Sequence, residues 1–250
     1  MAVQYLQTKA GRRIAYHRSE GKGLGVVFLG GFKSDMEGSK ALHLEAWAQR
    51  HGRAYLRFDY SGHGQSGGAF TDGCIGDWAA DAQAAIEALT EGPQVLVGSS
   101  MGGWISLLMT KALAGRVAGL VTIAAAPDFT EAGFWASFSE AERRQVMEAG
   151  QIAVPSEYGE PYIITRRLIE DGRNHLVMDK PLPLPFPVRC LQGTADNAVS
   201  TETALALLDH ADCADMRLTL KKGADHSFSD PECLVLIEKT IEKVLNRVEG

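Results

Sequence analysis

The sequence predicts an α/β fold built on a mostly parallel, doubly wound sheet of about eight strands, and three observations carry that expectation. Val26-Val27-Phe28-Leu29, Val95-Leu96-Val97 and Leu120-Val121-Thr122-Ile123 are continuous apolar runs, as in strands buried on both faces. Amphipathic helical stretches separate such runs in regular alternation. One run passes through Gly98-Ser99-Ser100-Met101-Gly102 straight into an apolar helical stretch, the pattern of a strand, a sharp turn and a helix.

Taken in order, residues 2–8 and 12–18 read as an opening hairpin turned at Ala10-Gly11. The strand 26–29 ends in Gly30-Gly31-Phe32. A helix over 38–50 follows, with Leu42, Trp47 and Ala48 inward and Gly52 as its stop. Residues 54–59 form the next strand and run into Asp59-Tyr60-Ser61-Gly62-His63-Gly64-Gln65-Ser66, whose glycine spacing is that of a tight reversal. A helix over 75–90 is ended by Gly92-Pro93. After the strand that leads into Ser100 come a helix over 101–114 and a strand over 119–124.

The alternation then breaks, and no strand is expected between Pro127 and Pro187. Ser139-Glu140-Ala141-Glu142 is a capping box, which starts a helix at 140 and carries it to 149. Pro161 and Gly172 bracket a second helix over 161–171. Residues 127–186 are therefore expected to be a small helical cap inserted into a core made of 1–126 and 187–250. Pro181, Pro183, Pro185 and Pro187 bring the chain back stiff and extended. A strand over 188–193, a helix over 200–210 begun by Ser200, and a strand over 216–220 resume the core. Asp230 caps the last helix, with Leu234, Ile237, Ile241, Val244 and Leu245 inward.

Composition narrows the function. The chain has 250 residues and a net charge of −6, with no basic tract, so a nucleic-acid partner is not expected. The four cysteines, Cys74, Cys190, Cys213 and Cys233, lack metal-ligand spacing and suit a reducing compartment. No apolar stretch reaches membrane-spanning length. The opening residues read as a strand rather than a signal or transit peptide, so the expected location is cytoplasmic. Neither metal nor organic cofactor is expected.

Ser100 stands at the apex of the turn, beside the N-terminal amides of the following helix, where developing negative charge is favoured. A serine hydroxyl needs a base to act as a nucleophile. Of the seven histidines, His226 follows the last strand, on the sheet edge where Ser100 emerges. His63, in a strand-end loop on the same edge, is the second candidate, as a base or substrate contact; His17, His43, His51, His175 and His210 read as surface residues. A carboxylate must hold the imidazole in one tautomer. Asp196, in Gly193-Thr194-Ala195-Asp196, follows the penultimate strand, and Asp128 is the competing orienter. Two backbone donors for an oxyanion are expected at the amides of Met101 and Phe32, with Gly31 allowing close approach of substrate. Phe129, Phe134, Trp135, Phe138, Tyr158 and Tyr162 concentrate aromatic surface in the cap. They either pack it on the sheet or line a substrate site, for which Trp135, Phe138 and Tyr162 are the candidates. Arg166 and Arg167 either face a substrate carboxylate or form a solvated helix face.

Gly30-Gly31-Phe32, the Asp59–Ser66 loop, Gly98-Ser99-Ser100-Met101-Gly102-Gly103, and Gly193-Thr194-Ala195-Asp196 with Asp225-His226 resemble the α/β-hydrolase superfamily over nearly the whole chain. Arg57-Phe58-Asp59-Tyr60-Ser61-Gly62 and the stretch from Glu91 to Trp104 more narrowly resemble the mitochondrial palmitoyl-protein thioesterases that also hydrolyse acyl glucuronides. The resemblance implies an α/β-hydrolase fold, a triad of Ser100, Asp196 and His226, and an ester or thioester of a small molecule or an acylated protein as substrate. Two features depart from that pattern: no organelle presequence is visible, as in a bacterial relative or a trimmed form, and Gly30-Gly31 replaces the His-Gly common in the oxyanion turn. An aminopeptidase or C–C bond hydrolase using the same triad, and a non-catalytic binding protein of this fold, are the alternative readings.

Overall fold

The computed structural model describes residues 2–156 and 159–250. The chain opens with β1 (Gln4–Gln7) and β2 (Arg13–Ser19), then β3 (Gly25–Leu29), α1 (Ser39–Arg50), β4 (Tyr55–Phe58) and α2 (Ile75–Leu89). The strand β5 (Gln94–Ser99) leads through Ser100 into α3 (Met101–Ala112), and β6 (Val117–Ile123) follows. A π-helical turn at Phe129–Trp135, α4 (Glu140–Ala149), β7 (Gln151–Val154), β8 (Tyr162–Thr165) and α5 (Arg166–Gly172) come next. The chain closes with β9 (Val188–Gly193), α6 (Thr201–His210), β10 (Met216–Lys221) and α7 (Pro231–Glu249).

Eight strands pair in the order β1-β2-β4-β3-β5-β6-β9-β10. The pairs β1/β2 and β2/β4 are antiparallel, and the five pairings from β4 to β10 are parallel. Every residue of β3, β5 and β9 is buried; apolar runs account for this in β3 and β5, whereas β9 also buries Arg189 and Gln192. One apolar cluster joins the sheet to α1 and α7, and a second joins it to α2, α3 and the segment between β6 and β9. Helices therefore cover both faces, and the order of connection reverses between β3 and β5. At such a reversal the loops leaving two neighbouring strands diverge and open a crevice at their carboxyl ends.

Local signals account for most boundaries. Ser139 accepts from Glu142 N while the Glu142 carboxylate accepts from Ser139 N, so both halves of the capping box form. Ser200 and Asp230 cap α6 and α7, accepting from Thr203 N and Cys233 N. Inside α1 the expected inward set is corrected at one position: Leu42 is exposed, and Ala41 and Leu44 join Trp47 and Ala48 in the core. Leu234 is half-buried at the margin of its cluster.

The segment between β6 and β9 differs from an all-helical insertion. Residues 162–165, expected as the first turn of a helix, form a strand paired antiparallel with β7, Ile152 opposite Ile164. Tyr, Ile and Thr favour an extended backbone, and Ile152 and Ile164 both bury themselves in the large cluster. The helix begins only at Arg166, capped by the Thr165 hydroxyl, which accepts from Leu168 N. Gly172 ends it as expected.

The first turn of α3 packs tightly against the end of β3. A Cβ at Gly102 would overlap the Leu29 carbonyl, and one at Gly98 would overlap the Gly102 carbonyl. Gly102→Ala should therefore push α3 off the sheet and lower the unfolding free energy by about 3 kcal/mol, read by urea denaturation. Asp230→Ala, which removes only a cap, should cost about 1 kcal/mol in the same measurement.

Candidate active site

Ser100 has φ 54° and ψ −118°, a conformation that non-glycine residues rarely adopt. It is held there from both sides. Its amide donates to the Ile123 carbonyl at 2.9 Å, and its carbonyl accepts from Gly103 N and Ala126 N at 2.9 and 3.2 Å. The turn projects the side chain off the end of β5, over the first amides of α3, which have no partners within the helix. Ser100 is not alone in its strain. Five non-glycine residues have positive φ among the described residues: Lys33, Ser100, Ala124, Asp128 and Phe228. All five follow the carboxyl ends of parallel strands, so the strain collects along one edge of the sheet.

His226 and Asp196 reach Ser100 from loops that follow β10 and β9. His226 Nε2 lies 3.0 Å from Ser100 Oγ, and His226 Nδ1 lies 2.9 Å from Asp196 Oδ2. The Asp196 side chain is fully buried. Gln192 Nε2 donates to Oδ2 at 2.9 Å, and the amides of Ala198 and Val199 donate to Oδ1 at 2.9 and 2.8 Å. Burial alone would raise the Asp196 pKa, but the His226 ring and these amides outweigh it and hold the carboxyl below its usual range. An ionised Asp196 accepts a hydrogen bond from Nδ1–H, which keeps the ring proton on Nδ1 and leaves Nε2 as an acceptor for the Ser100 hydroxyl. The His226 loop is itself tied down. Asp225 Oδ1 accepts from Phe228 N at 3.0 Å, and Lys40, from the first turn of α1, donates to the Ser227 carbonyl.

Asp128 does something else. Its two oxygens accept from Val177 N and Met178 N, each at 2.9 Å, and it makes no hydrogen bond to His226. This carboxylate fastens the returning chain of the inserted segment to the end of β6. His63 is buried at 3% exposure, ringed edge-on by Tyr60, Phe70 and Trp78, and bonded to the Lys33 amide. It contacts neither Ser100 nor His226 through a hydrogen bond. His17, expected at the surface, is buried in β2, 3.6 Å from Glu37. Arg166 and Arg167 are engaged by Glu170 and Asp77, each at 2.7 Å.

The aromatic side chains divide. Phe32 is the hub, with ring centroids 4.9 Å from Phe70, 5.4 Å from Phe129, 5.4 Å from Tyr162 and 5.9 Å from Phe134. Phe138 is buried and stacks on Phe134 at 6.3 Å. Trp135 turns to other partners: the guanidinium groups of Arg173 and Arg143 lie 4.5 and 5.3 Å from its ring. Tyr158 falls outside the described residues. Gly31 faces Ser100, since a Cβ there would stand 3.4 Å from Ser100 Cβ. The sequence reading missed Phe70, Gln192 and Lys40; each is an ordinary residue type whose partner lies on a distant element, so no local pattern marks it. Among the described residues, no group of three or more His, Cys, Asp or Glu is placed to hold a metal ion. No helix among them is long and apolar enough to cross a membrane.

A family model for the alpha/beta hydrolase fold matches residues 36–162, half of the chain. The bovine mitochondrial palmitoyl-protein thioesterase ABHD10 is 32% identical over 252 residues, covering 99% of this chain and 81% of that protein. This chain belongs to the α/β-hydrolase family. The human thioesterase of the same name is 32% identical over 237 residues, covering 94% of this chain and 77% of its own. Among solved structures, an Agrobacterium vitis S4 protein superposes with a TM-score of 0.93 at 38% identity, covering 98% of both chains. The mouse α/β-hydrolase domain-containing protein 10 superposes with a TM-score of 0.92 at 30% identity, covering 98% of this chain and 99% of its own.

Two expectations test these roles. Asp128→Ala leaves two buried amides without an acceptor and should cost about 2 kcal/mol of stability in urea melts while kcat stays near the wild-type value. Burial lowers the Lys40 pKa to about 8 from 10.5, against the opposing pull of Asp225. Folding therefore favours the neutral amine, and its contribution, lost below pH 8, is fully present only above the unfolded value. The stability of wild type relative to Lys40→Met should rise between pH 8 and pH 10 in denaturation curves taken across that range.

Proposed function

We propose that this α/β hydrolase cleaves carboxylic esters and thioesters through an acyl-enzyme on Ser100, with His226 as general base and acid and Asp196 as its orienting carboxylate. The single observation that carries the reading is the chain of contacts from Asp196 to His226 Nδ1 at 2.9 Å and from His226 Nε2 to Ser100 Oγ at 3.0 Å. Ser100 Oγ attacks the acyl carbonyl as His226 Nε2 takes its proton. The amides of Met101 and Phe32 receive the oxyanion, and the imidazolium, stabilised by Asp196, then gives its proton to the departing alcohol or thiol. His226 then takes a proton from water as it attacks the acyl carbonyl and returns that proton to Ser100 Oγ as the Oγ–acyl bond breaks, which releases the acid and restores the free hydroxyl.

The substrate class rests on two supports. The relatives are named as palmitoyl-protein thioesterases, and Phe32, Phe70, Phe129, Phe134 and Tyr162 supply aromatic surface beside Gly31 and Ser100. An acyl chain, from a small ester, an acyl-CoA, an acyl glucuronide or an acylated protein, suits such a lining, because its burial releases water from apolar surface. Residues 127–186 act in this reading as the cap over the acyl site, with Tyr162 and Phe138 on its underside.

A fluorophosphonate probe should label wild type and leave Ser100→Ala unlabelled; labelling of that variant at the wild-type level would overturn the mechanism. Asp196→Asn should lower kcat by about 10⁴ with the fold intact by circular dichroism. In a panel of p-nitrophenyl esters, acyl-CoAs and aminoacyl anilides, turnover is expected on the first two. Turnover of the anilides alone would replace the esterase reading with a peptidase.

A further inference from the structure

The geometry points to His63 and Ser34 as positioning residues that fix the two peptide planes on either side of Phe32, and with them the direction of the Phe32 amide. The inference rests on the proposed role of that amide as an oxyanion donor. It begins from a loop that the mechanism leaves unused, the Asp59–Ser66 segment after β4.

The turn after β3 carries Gly30, Gly31, Phe32 and Lys33, and Lys33 sits at φ 56°. Such a turn does not hold itself, since a left-handed non-glycine residue is disfavoured without outside contacts. Hydrogen bonds hold it, among them one from the Tyr60 hydroxyl to the Gly30 carbonyl at 3.4 Å. Ser34 Oγ donates to the Gly31 carbonyl at 2.8 Å, reinforced by Ser34 N at 3.2 Å. The carbonyl of a trans peptide and the N–H of the next residue point in opposite directions. Clamping the Gly31 oxygen therefore sets where the Phe32 N–H points. On the far side, Lys33 N donates to His63 Nε2 at 3.2 Å, which fixes the Phe32–Lys33 peptide plane. Further along, Asp59 Oδ1 accepts from Met36 N at 2.6 Å while its Oδ2 accepts from Gln65 N at 2.8 Å, joining the two loops again.

His63 can accept from Lys33 only as a neutral ring with its proton on Nδ1, and Nδ1–H donates to the Ser61 carbonyl at 3.2 Å. Its surroundings keep it so: burial carries the His63 pKa down to about 4, against the smaller opposing effect of the Ser61 carbonyl. A histidine on the active-site edge thus serves as a hydrogen-bond acceptor for backbone rather than as an acid or base. A donor aimed at developing charge is worth most when its direction is set before the reaction, because no reorganisation is then needed as the charge appears.

The test compares His63→Leu, His63→Gln and Ser34→Ala using p-nitrophenyl butyrate and butaneboronic acid, whose adduct with Ser100 is tetrahedral and anionic. His63→Leu should lower kcat by about 10- to 100-fold and weaken boronate binding by a like factor, with KM changed by less than about three-fold. His63→Gln, whose side-chain oxygen can stand where Nε2 stood, should recover kcat and boronate affinity to within about five-fold of wild type. Ser34→Ala, at an exposed position, should show the same pattern at about three- to ten-fold, and it decides the matter if His63→Leu does not fold. Equal weakening of boronate binding and KM would mean a merely structural role and overturn the inference. So would wild-type kcat and boronate affinity in both His63→Leu and Ser34→Ala, and silence of either one removes that residue from the assignment. Wild-type turnover by Ser100→Ala would instead sink the underlying mechanism.

Discussion

The contact between the first turn of α3 and the carbonyl end of β3 is the constraint from which the rest of the site descends. It exists because Gly98 and Gly102 carry no side chains where a Cβ would collide with backbone. Bringing α3 that close forces the connecting residue, Ser100, into a left-handed conformation at φ 54°. It also places Gly31, on the turn after β3, against the Ser100 side chain. One steric condition thus exposes a hydroxyl, brings helix amides beneath it and sets a second turn beside it. A backbone in a sparsely populated region costs of order 1–3 kcal/mol, and it persists only where its surroundings leave no alternative. Here those surroundings are the fully buried strands β3 and β5 and their register of parallel pairs.

The same logic extends along the sheet edge. Lys33, Ala124, Asp128 and Phe228, like Ser100, take positive φ just beyond a parallel strand, and the sheet beneath them is regular. Rigid strands supply fixed starting points, and the loops absorb the distortion needed to turn groups toward one place. Hydrogen bonds hold three of these residues: Ile123 and Ala126 for Ser100, His63 from the neighbouring loop for Lys33, and Asp225 within its own loop for Phe228. The edge is a mesh in which each loop is fixed by the next.

Electrostatics separates residues that composition treats alike. Asp196 and Asp128 both lie at this edge and both are shielded from water, yet the Asp196 pKa is lowered and the Asp128 pKa raised. Burial pushes both upward. Asp196 meets the His226 ring and two loop amides, which favour its charge and overcome burial. For Asp128 burial prevails over the amides of Val177 and Met178, with nearby Asp179 adding to the rise and Lys180 opposing it. The first carboxylate is bonded to a histidine ring, and the second tethers the returning chain. His63 and His226 divide in the same way, one enclosed by aromatic rings and bonded to backbone, the other bonded to a carboxylate and a hydroxyl.

What the amino-acid order determined by itself was everything that depends on neighbours within a few residues. Continuous apolar runs marked the buried strands, and Ser139 with Glu142 marked the start of α4. The glycines around Ser100 marked the sharp turn, because steric demands of that kind are met inside one short stretch of chain. The hairpin of β7 and β8 was not legible. Its strands are four residues each, and only pairing across the intervening loop and burial of Ile152 and Ile164 select extended backbone over helix. Nor was the tethering of Val177 and Met178 by Asp128, the turn of Trp135 toward Arg143 and Arg173, or the contact of His63 with the Lys33 amide. Each depends on a partner from another element, and which distant groups meet is decided by how the whole sheet and its helices pack. A residue's type states which bonds it is able to make; the tertiary structure alone decides which of them it makes.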